Sequence, residues 1–236
     1  EAPEQTAARN NLAQLLLELQ RYPEALVPLE DLRRRGMTFP ASYLSLAQAY
    51  VATGRPDKAR EALAEYAAEH PDRAASFENL AYFELTQGRT EAALAAFDTA
   101  AALHPDDSMK IELGRFTAHA LRDEWPEAEA AAKRLVASDD PRQQWEGGAS
   151  LAMASLYRGD VGEARRLAAE GAKMGRNAEE RVGARLFRAG LEADLGRGRE
   201  ALAEAEGVLR EKVKEPKLRA EGHAMKAICL ARLGRK

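Results

Sequence analysis

Four histidines and one cysteine are the side chains of this chain best suited to metal or nucleophilic chemistry. His70 and His104 stand 34 residues apart, each directly before a proline (Pro71, Pro105). They read as two copies of one structural position near a helix C-terminus, where an imidazole suits the negative end of the dipole. Neither has a partner at i+4, as a zinc pair on one helix would need. His223 and Cys229 are six apart on one predicted helix, which fits neither a ligand pair nor a nucleophile with its base. Cys229 stands alone, so no intrachain disulfide forms; it suits a reducing compartment and reads as a small core residue.

The other chemical signatures dissolve in the same way. Gly196-Arg197-Gly198 resembles the opening of a dinucleotide loop, but it joins two predicted helices and follows no strand. A phosphate-cradling G-x-x-x-x-G-K-[ST] is absent. The carboxylate pairs Glu179-Glu180 and Asp139-Asp140 fall at predicted helix starts or loops, where negative charge suits the dipole. General acid–base work needs a carboxylate in a closed pocket, and nothing in the sequence marks one. Trp125 and Trp145 read as packing residues, and Gly147-Gly148 as a place where helices approach closely. The expectation is a chain that is not an enzyme and needs no cofactor or metal.

Composition says what must position these residues. The chain is 45% hydrophobic and 31% charged, enough apolar material for a folded domain. Alanine is abundant, aromatics are 6%, and β-branched runs are nearly missing, so helix is favoured throughout. A net charge of −3 argues against nucleic-acid binding, which needs a surplus of Lys and Arg. The charge is uneven: residues 207–236 carry nine basic side chains against three acidic. No apolar run reaches the roughly 18 residues of a membrane span, so no membrane insertion is expected.

A period of 34 residues organises the sequence. QRYPEAL (20–26), GRPDKAR (54–60) and GRTEAAL (88–94) align without a gap, so that Ala25, Ala59 and Ala93 share one position. EWPEAEA (124–130), GDVGEAR (159–165) and GRGREAL (196–202) continue the series, with Ala128, Ala164 and Ala201 falling 35, 36 and 37 residues after the alanine before. Each unit reads as two amphipathic helices around a short turn. In the second, Tyr43, Leu46, Ala47 and Tyr50 recur at helical spacing, Gly54 ends the helix, and Pro56 starts the next. One hairpin cannot bury its apolar stripe alone, so the units must stack.

These residues resemble the tetratricopeptide repeat, W-x2-L-G-x2-Y followed by A-x3-F and a proline. The second unit supplies Tyr43-x2-Leu46-Ala47-x2-Tyr50, Ala59-x3-Leu63 and Pro71; the third supplies Phe77-x2-Leu80-Ala81, Ala93-x3-Phe97, Ala100 and Pro105, departing at Glu84 where the aromatic is expected. In units four to six Ala132, Ala168 and Ala205 replace the large residue of the second helix, which should bring those helices closer. The resemblance implies an all-α, right-handed α-α superhelix of six hairpins plus one further helix. The units fall at about 4–38, 40–72, 74–106, 107–140, 142–176, 178–212 and a half unit at 215–236, in a single domain.

The resemblance also implies a concave groove lined by the first helix of each hairpin, which holds a partner's peptide or helix. Mapped onto this chain, the groove residues are Asn10, Asn11, Gln14 and Glu18; Leu44, Ser45, Gln48 and Val51; Glu78, Asn79, Tyr82 and Thr86; then Arg115, His119, Glu146 and Ser150. Exposed amides suit a peptide backbone, while Leu44, Val51 and Tyr82 suit apolar side chains. Members that grip a chaperone's C-terminal carboxylate use Lys, Asn and Arg where this chain has Asn10, Gln14, Ser45, Ala75 and Asn79; the cations are missing, and that ligand is not expected.

Two roles follow. The first is a protein-interaction scaffold. The second is a sensor domain that binds a small peptide or metabolite to control an attached enzyme; saturable small-ligand binding with a large thermal shift would mark it. The chain starts at Glu1 without a methionine, and its last residues, Leu233-Gly234-Arg235-Lys236, copy the internal turns. A fragment of a larger protein is therefore expected, with weak self-association through the C-terminal helix, which carries Leu218, Met225, Ile228, Cys229 and Leu233.

Overall fold

The computed structural model describes residues 3–36, 40–104, 109–174, 178–211 and 215–234, the side chains of 3–4, 172–174 and 178–180 excepted. Among the described residues there are thirteen helices and no strand: α1 (Pro3–Glu18), α2 (Tyr22–Arg34), α3 (Pro40–Ala52), α4 (Pro56–Glu69), α5 (Ala74–Thr86), α6 (Thr90–Leu103), α7 (Met109–Ala120), α8 (Trp125–Val136), α9 (Pro141–Tyr157), α10 (Val161–Met174), α11 (Ala178–Asp194), α12 (Gly198–Arg210) and α13 (Pro216–Arg232). The all-α class expected from the repeat holds. No described helix is long and apolar enough to cross a membrane.

Contacts divide the chain into two compact units, Glu1–Gly114 and Arg115–Lys236, the boundary falling within α7. In the first, α1 pairs with α2, α3 with α4 and α5 with α6, while α2 packs on α3 and α4 on α5. In the second, each helix from α8 to α13 packs on its successor, and α13 also touches α11.

The turns explain why the hairpins repeat. Six times the chain takes a positive φ five residues before the crossing alanine, at Gln20, Gly54, Gly88, Asp123, Gly159 and Gly196. Six times the next residue's N–H closes the turn on a carbonyl five residues back: Arg21 on Leu16, Arg55 on Tyr50, Arg89 on Glu84, Glu124 on His119, Asp160 on Ser155 and Arg197 on Glu192. One left-handed residue thus lets the chain leave one helix and enter the next with its terminal carbonyl satisfied. Gly196-Arg197-Gly198 is one of these turns.

The crossing alanines Ala25, Ala59, Ala93, Ala128, Ala164 and Ala201 are all fully buried. Four residues on, Leu29, Leu63 and Phe97 fill the interior of the first unit, and Ala132, Ala168 and Ala205 that of the second. At one of these alanines the backbones approach closely: a Cβ on Gly147 of α9 would sit 2.6 Å from the Ala132 carbonyl oxygen of α8. Trp145 lies against Gly171 of α10. Cys229 is a buried residue of the α11–α13 core, with Ala193, Ala201 and Leu202. Burial raises its thiol pKa against the opposing Arg232 charge.

Candidate functional site

The candidate surface consists of first-helix residues that the hairpin packing leaves open. In the first unit Gln14 of α1, Gln48 of α3 and Tyr82 of α5 occupy one repeat position 34 residues apart, and all three are exposed. Glu18 and Thr86 share a second position and are also exposed, and Leu44 and Val51 on α3 sit beside the row at 40% and 46% exposure. α1 touches α3 directly. The Ser42 hydroxyl donates to Asn10 Oδ1 at 2.9 Å, so Asn10 is half-buried and spent on joining these two helices.

Tyr82 is a rigid member of the row. Its hydroxyl donates to the Lys110 carbonyl at 2.5 Å, and its ring meets the buried Phe97 edge-on at 5.2 Å between centroids. Burial, with a smaller push from the Glu78 charge, raises its pKa. The side chain is thus fixed at its hydroxyl and by its ring contact while the residue stays 37% exposed, as a contact that loses little entropy on binding. Thr86 turns its hydroxyl to the Phe83 carbonyl.

Glu78 departs from the sequence mapping. It is only 8% exposed, and it lines a cleft of about 360 Å³ with Asp72, Arg73, His104 and Lys110 rather than an open face. His70 and His104 hold the C-cap positions of α4 and α6, their N–H groups bonding to the Tyr66 and Ala100 carbonyls. Pro105 lies outside the described residues.

In the second unit the mapping shifts. His119 lies nine residues before its crossing alanine, the turn position held elsewhere by Leu16, Tyr50, Glu84, Ser155 and Glu192. Its Nδ1 pairs with Glu124 Oε2 at 2.8 Å, and Arg122 donates to the other oxygen at 2.7 Å. Hydrogen bonds from His119 and then Arg122 lower the Glu124 pKa. Arg115 holds the position of Leu12 and Leu46, which in α3 is fully buried, and is itself half-buried. Ser150 is buried and its hydroxyl bonds back to the Glu146 carbonyl. Glu146 is half-buried, and burial raises its pKa despite the nearby Arg142. Arg115, His119 and Ser150 are therefore not placed as open groove residues. The first helices here differ in length, and counting from their starts slips the register.

Counting back from the crossing alanine across the constant turn gives different residues. Seven positions before Ala128 and Ala164 lie Leu121 and Tyr157, the counterparts of Glu18 and Thr86. They are 62% and 69% exposed. Trp125 stacks on Tyr157 with centroids 5.7 Å apart, making an open aromatic pair. The fixed distance from turn to alanine was the signal that could have found them.

Other expected features take structural places. Asp140 caps α9 through the Arg142 N–H at 2.9 Å. Glu179 and Glu180 begin α11, their side chains outside the described residues. Among the described residues no group of three His, Cys, Asp or Glu is placed to hold a metal.

Comparison with known proteins gives a consistent fold. Tetratricopeptide-repeat family models match residues 6–35 and 44–108. No curated protein matches in sequence. The structure of PilW, described as a widely conserved type IV pilus biogenesis factor, superposes with a TM-score of 0.61 at 20% identity, covering 93% of this chain and 99% of that one. Pseudomonas aeruginosa PilF superposes with a TM-score of 0.58 at 18% identity, over 94% of this chain and 97% of that one. A tetratricopeptide repeat protein from Parabacteroides merdae gives 0.65 at 13% identity, over 97% and 85%. At these identities the likeness carries the fold.

Proposed function

Because the chain belongs to the tetratricopeptide-repeat family, we propose that it is a protein-interaction scaffold that holds a peptide or helix of a partner protein against the open rows of its first helices. The carrying observation is the alignment of Gln14, Gln48 and Tyr82, one exposed residue from each of three consecutive hairpins, with Leu44 and Val51 beside them. Two amides offer both donors and acceptors to a peptide backbone, and the three apolar groups offer anchors for its side chains. Leu121 and the Trp125–Tyr157 pair give the second unit a more apolar contact of its own. Aromatic anchors of this kind carry a large share of binding energy in protein interfaces. No reaction is assigned to the chain.

The test is capture of a partner from native lysate by the parent chain and by a Gln14→Ala, Leu44→Ala, Gln48→Ala variant. All three side chains are exposed, so helicity and melting should be unchanged while the captured partner is lost. Equal capture by both would move the site off this row.

A further inference from the structure

Two first helices of the first unit, α3 and α5, expose no charge. α3 contains no charged residue at all, and the two of α5, Glu78 and Glu84, are both buried. The second helices beside them do the opposite: α4 alone exposes Asp57, Lys58, Arg60, Glu61 and Glu69. In a chain that is 31% charged, an open face without charge is a property of that face. A helix that is apolar nearly all round is normally covered on every side. α3 is such a helix, PASYLSLAQAYVA, yet Ala41, Leu44, Gln48, Val51 and Ala52 are exposed. α2 and α4 pack on α3, and α4 and α6 on α5, so the opening does not come from a missing neighbour in the stack.

An uncharged face sets a condition on whatever covers it. A charged side chain pressed against Leu44 and Val51 would lose its water with no opposite charge to replace it, which disfavours binding. Gln14 and Gln48 each offer two donors and an acceptor, and an extended main chain presents N–H and C=O groups to match them. A helix has already paired those groups within itself. On α5, Asn79 donates its amide to the Ala75 carbonyl at 2.6 Å and Tyr82 its hydroxyl to the Lys110 carbonyl, so this helix contributes the Tyr82 ring rather than hydrogen bonds. Glu18, at the C-terminal end of α1, is the one exposed charge among the mapped positions of the three helices.

On the scaffold reading above, we propose that the segment held by this row is extended and free of charged side chains where it touches α1, α3 and α5. Its main chain bonds to Gln14 and Gln48, and its apolar side chains pack on Leu44, Val51 and Tyr82. Helices pack roughly 10 Å apart and an extended chain rises about 3.3 Å per residue, so about seven residues cross the three. The uncharged runs of that length in this chain, 10–17, 36–54, 99–105 and 147–157, fall largely within α1, α3, α6 and α9. They are spent in the fold, so the segment comes from a partner protein. A contact made this way owes little to charge, and its strength is therefore nearly independent of salt.

The probe is a displayed library of random peptides of about twelve residues, longer than the row, panned on the full chain. The peptides retained should each carry an uncharged run of about seven residues. A synthesised one should bind with a Kd that changes less than about twofold between roughly 0.05 and 0.5 M NaCl. The Gln14→Ala, Leu44→Ala, Gln48→Ala variant should bind it at least tenfold more weakly, with helicity and melting unchanged. Binding to the parent should fall as far when a lysine or a glutamate is placed in the run, or when the peptide is stapled into a helix. Retained peptides that are charged, salt-sensitive or equally tight when stapled, yet are lost in the row variant, would overturn this assignment and leave the scaffold reading standing. Uncharged peptides that bind the row variant as tightly as the parent, or no retained peptide at all, would overturn the scaffold reading of the row as well.

Discussion

Arg60 and Glu84 join two consecutive hairpins: Arg60 Nε, on α4, donates to Glu84 Oε1, on α5, at 2.5 Å. The other carboxylate oxygen takes Arg89, the residue just past the turn glycine. Glu192 repeats the arrangement in the second unit, with Arg165 of α10 donating at 2.7 Å and Arg197 past the turn at 3.8 Å. Glu84 keeps only 2% of its side-chain surface, whereas Arg60 keeps 52% and Arg89 38%. The pair is therefore asymmetric. Removing both arginines strands a buried carboxylate, at about 3–5 kcal/mol. Removing the charge by Glu84→Gln leaves two cations that reach water, and should cost clearly less. Urea unfolding of Arg60→Ala, Arg89→Ala against Glu84→Gln checks the order; a costlier glutamine variant would mean the carboxylate is not the dependent partner.

Gly147 and Gly148 are neighbours in α9 with opposite surroundings. A Cβ at Gly147 would meet the Ala132 carbonyl at 2.6 Å and the Val136 nitrogen at 2.8 Å, both backbone atoms that cannot turn away. At Gly148 nothing lies within 4 Å. Gly147→Ala should destabilise by about 1–3 kcal/mol through overpacking. Gly148→Ala should stabilise by about 0.5–1 kcal/mol by restricting the unfolded chain. Thermal melts of the two single variants should move in opposite directions.

Gln20 and Asp123 hold φ values of 56° where the corresponding turns at Gly54, Gly88, Gly159 and Gly196 use glycine. A side chain in the left-handed region carries a cost of about 1–2 kcal/mol that glycine avoids, partly offset by glycine's greater freedom when unfolded. Gln20→Gly and Asp123→Gly should each raise stability by up to about 1 kcal/mol. Gly54→Ala, imposing the same strain elsewhere, should lower it. Denaturation midpoints that fall for the first two variants would show that Gln20 and Asp123 gain more from their side chains than the turn costs.

Much of this fold was legible because the repeat is written in small residues. The six crossing alanines and four of the turn glycines each mark a place where a larger side chain or a negative φ would break the hairpin. The groove was legible only while the spacing of the repeat stayed constant. From the first unit to the third a gapless 34-residue step put Gln14, Gln48 and Tyr82 on one row. Beyond that the spacing stretches to 35, 36 and 37 residues, which shifts every position counted from the helix start, and Arg115 and His119 were mapped to places the packing uses. Leu121 and Tyr157 were overlooked because an exposed leucine or tyrosine has no local signature; only the distance to the alanine finds it. Glu84 was visible as a missing aromatic, but its arginines come from the helix before and the turn after, contacts that no single-unit pattern contains. The C-terminal helix drew attention for its apolar residues. Leu218, Met225, Leu230 and Leu233 pack into the cores shared with α11 and α12, and among its described large apolar residues only Ile228 stays exposed.

Two glutamates of the second unit should give stability opposite dependences on pH. Burial works against the Glu204 carboxylate, but hydrogen bonds from Arg185 and Arg188 outweigh it and hold its pKa below the ordinary glutamate value. A depressed folded pKa contributes stability that is present above the unfolded value, about 4.3, and is lost as pH falls through the folded one. Glu146 is the reverse case: burial raises its pKa, with Arg142 opposing. Its ionised form is disfavoured in the fold, so the chain gains from its protonation and loses as pH rises through the raised value. Glu204→Gln should therefore be less stable than the parent at pH 7, with the gap closing by pH 3. Glu146→Gln should be at least as stable as the parent at pH 7, with its advantage shrinking as the pH falls toward 4. Urea midpoints of the three proteins at pH 3, 4, 5 and 7 separate the two effects. A Glu204→Gln gap that stays constant down to pH 3 would mean that the contribution of Arg185 and Arg188 does not depend on the charge of that carboxylate.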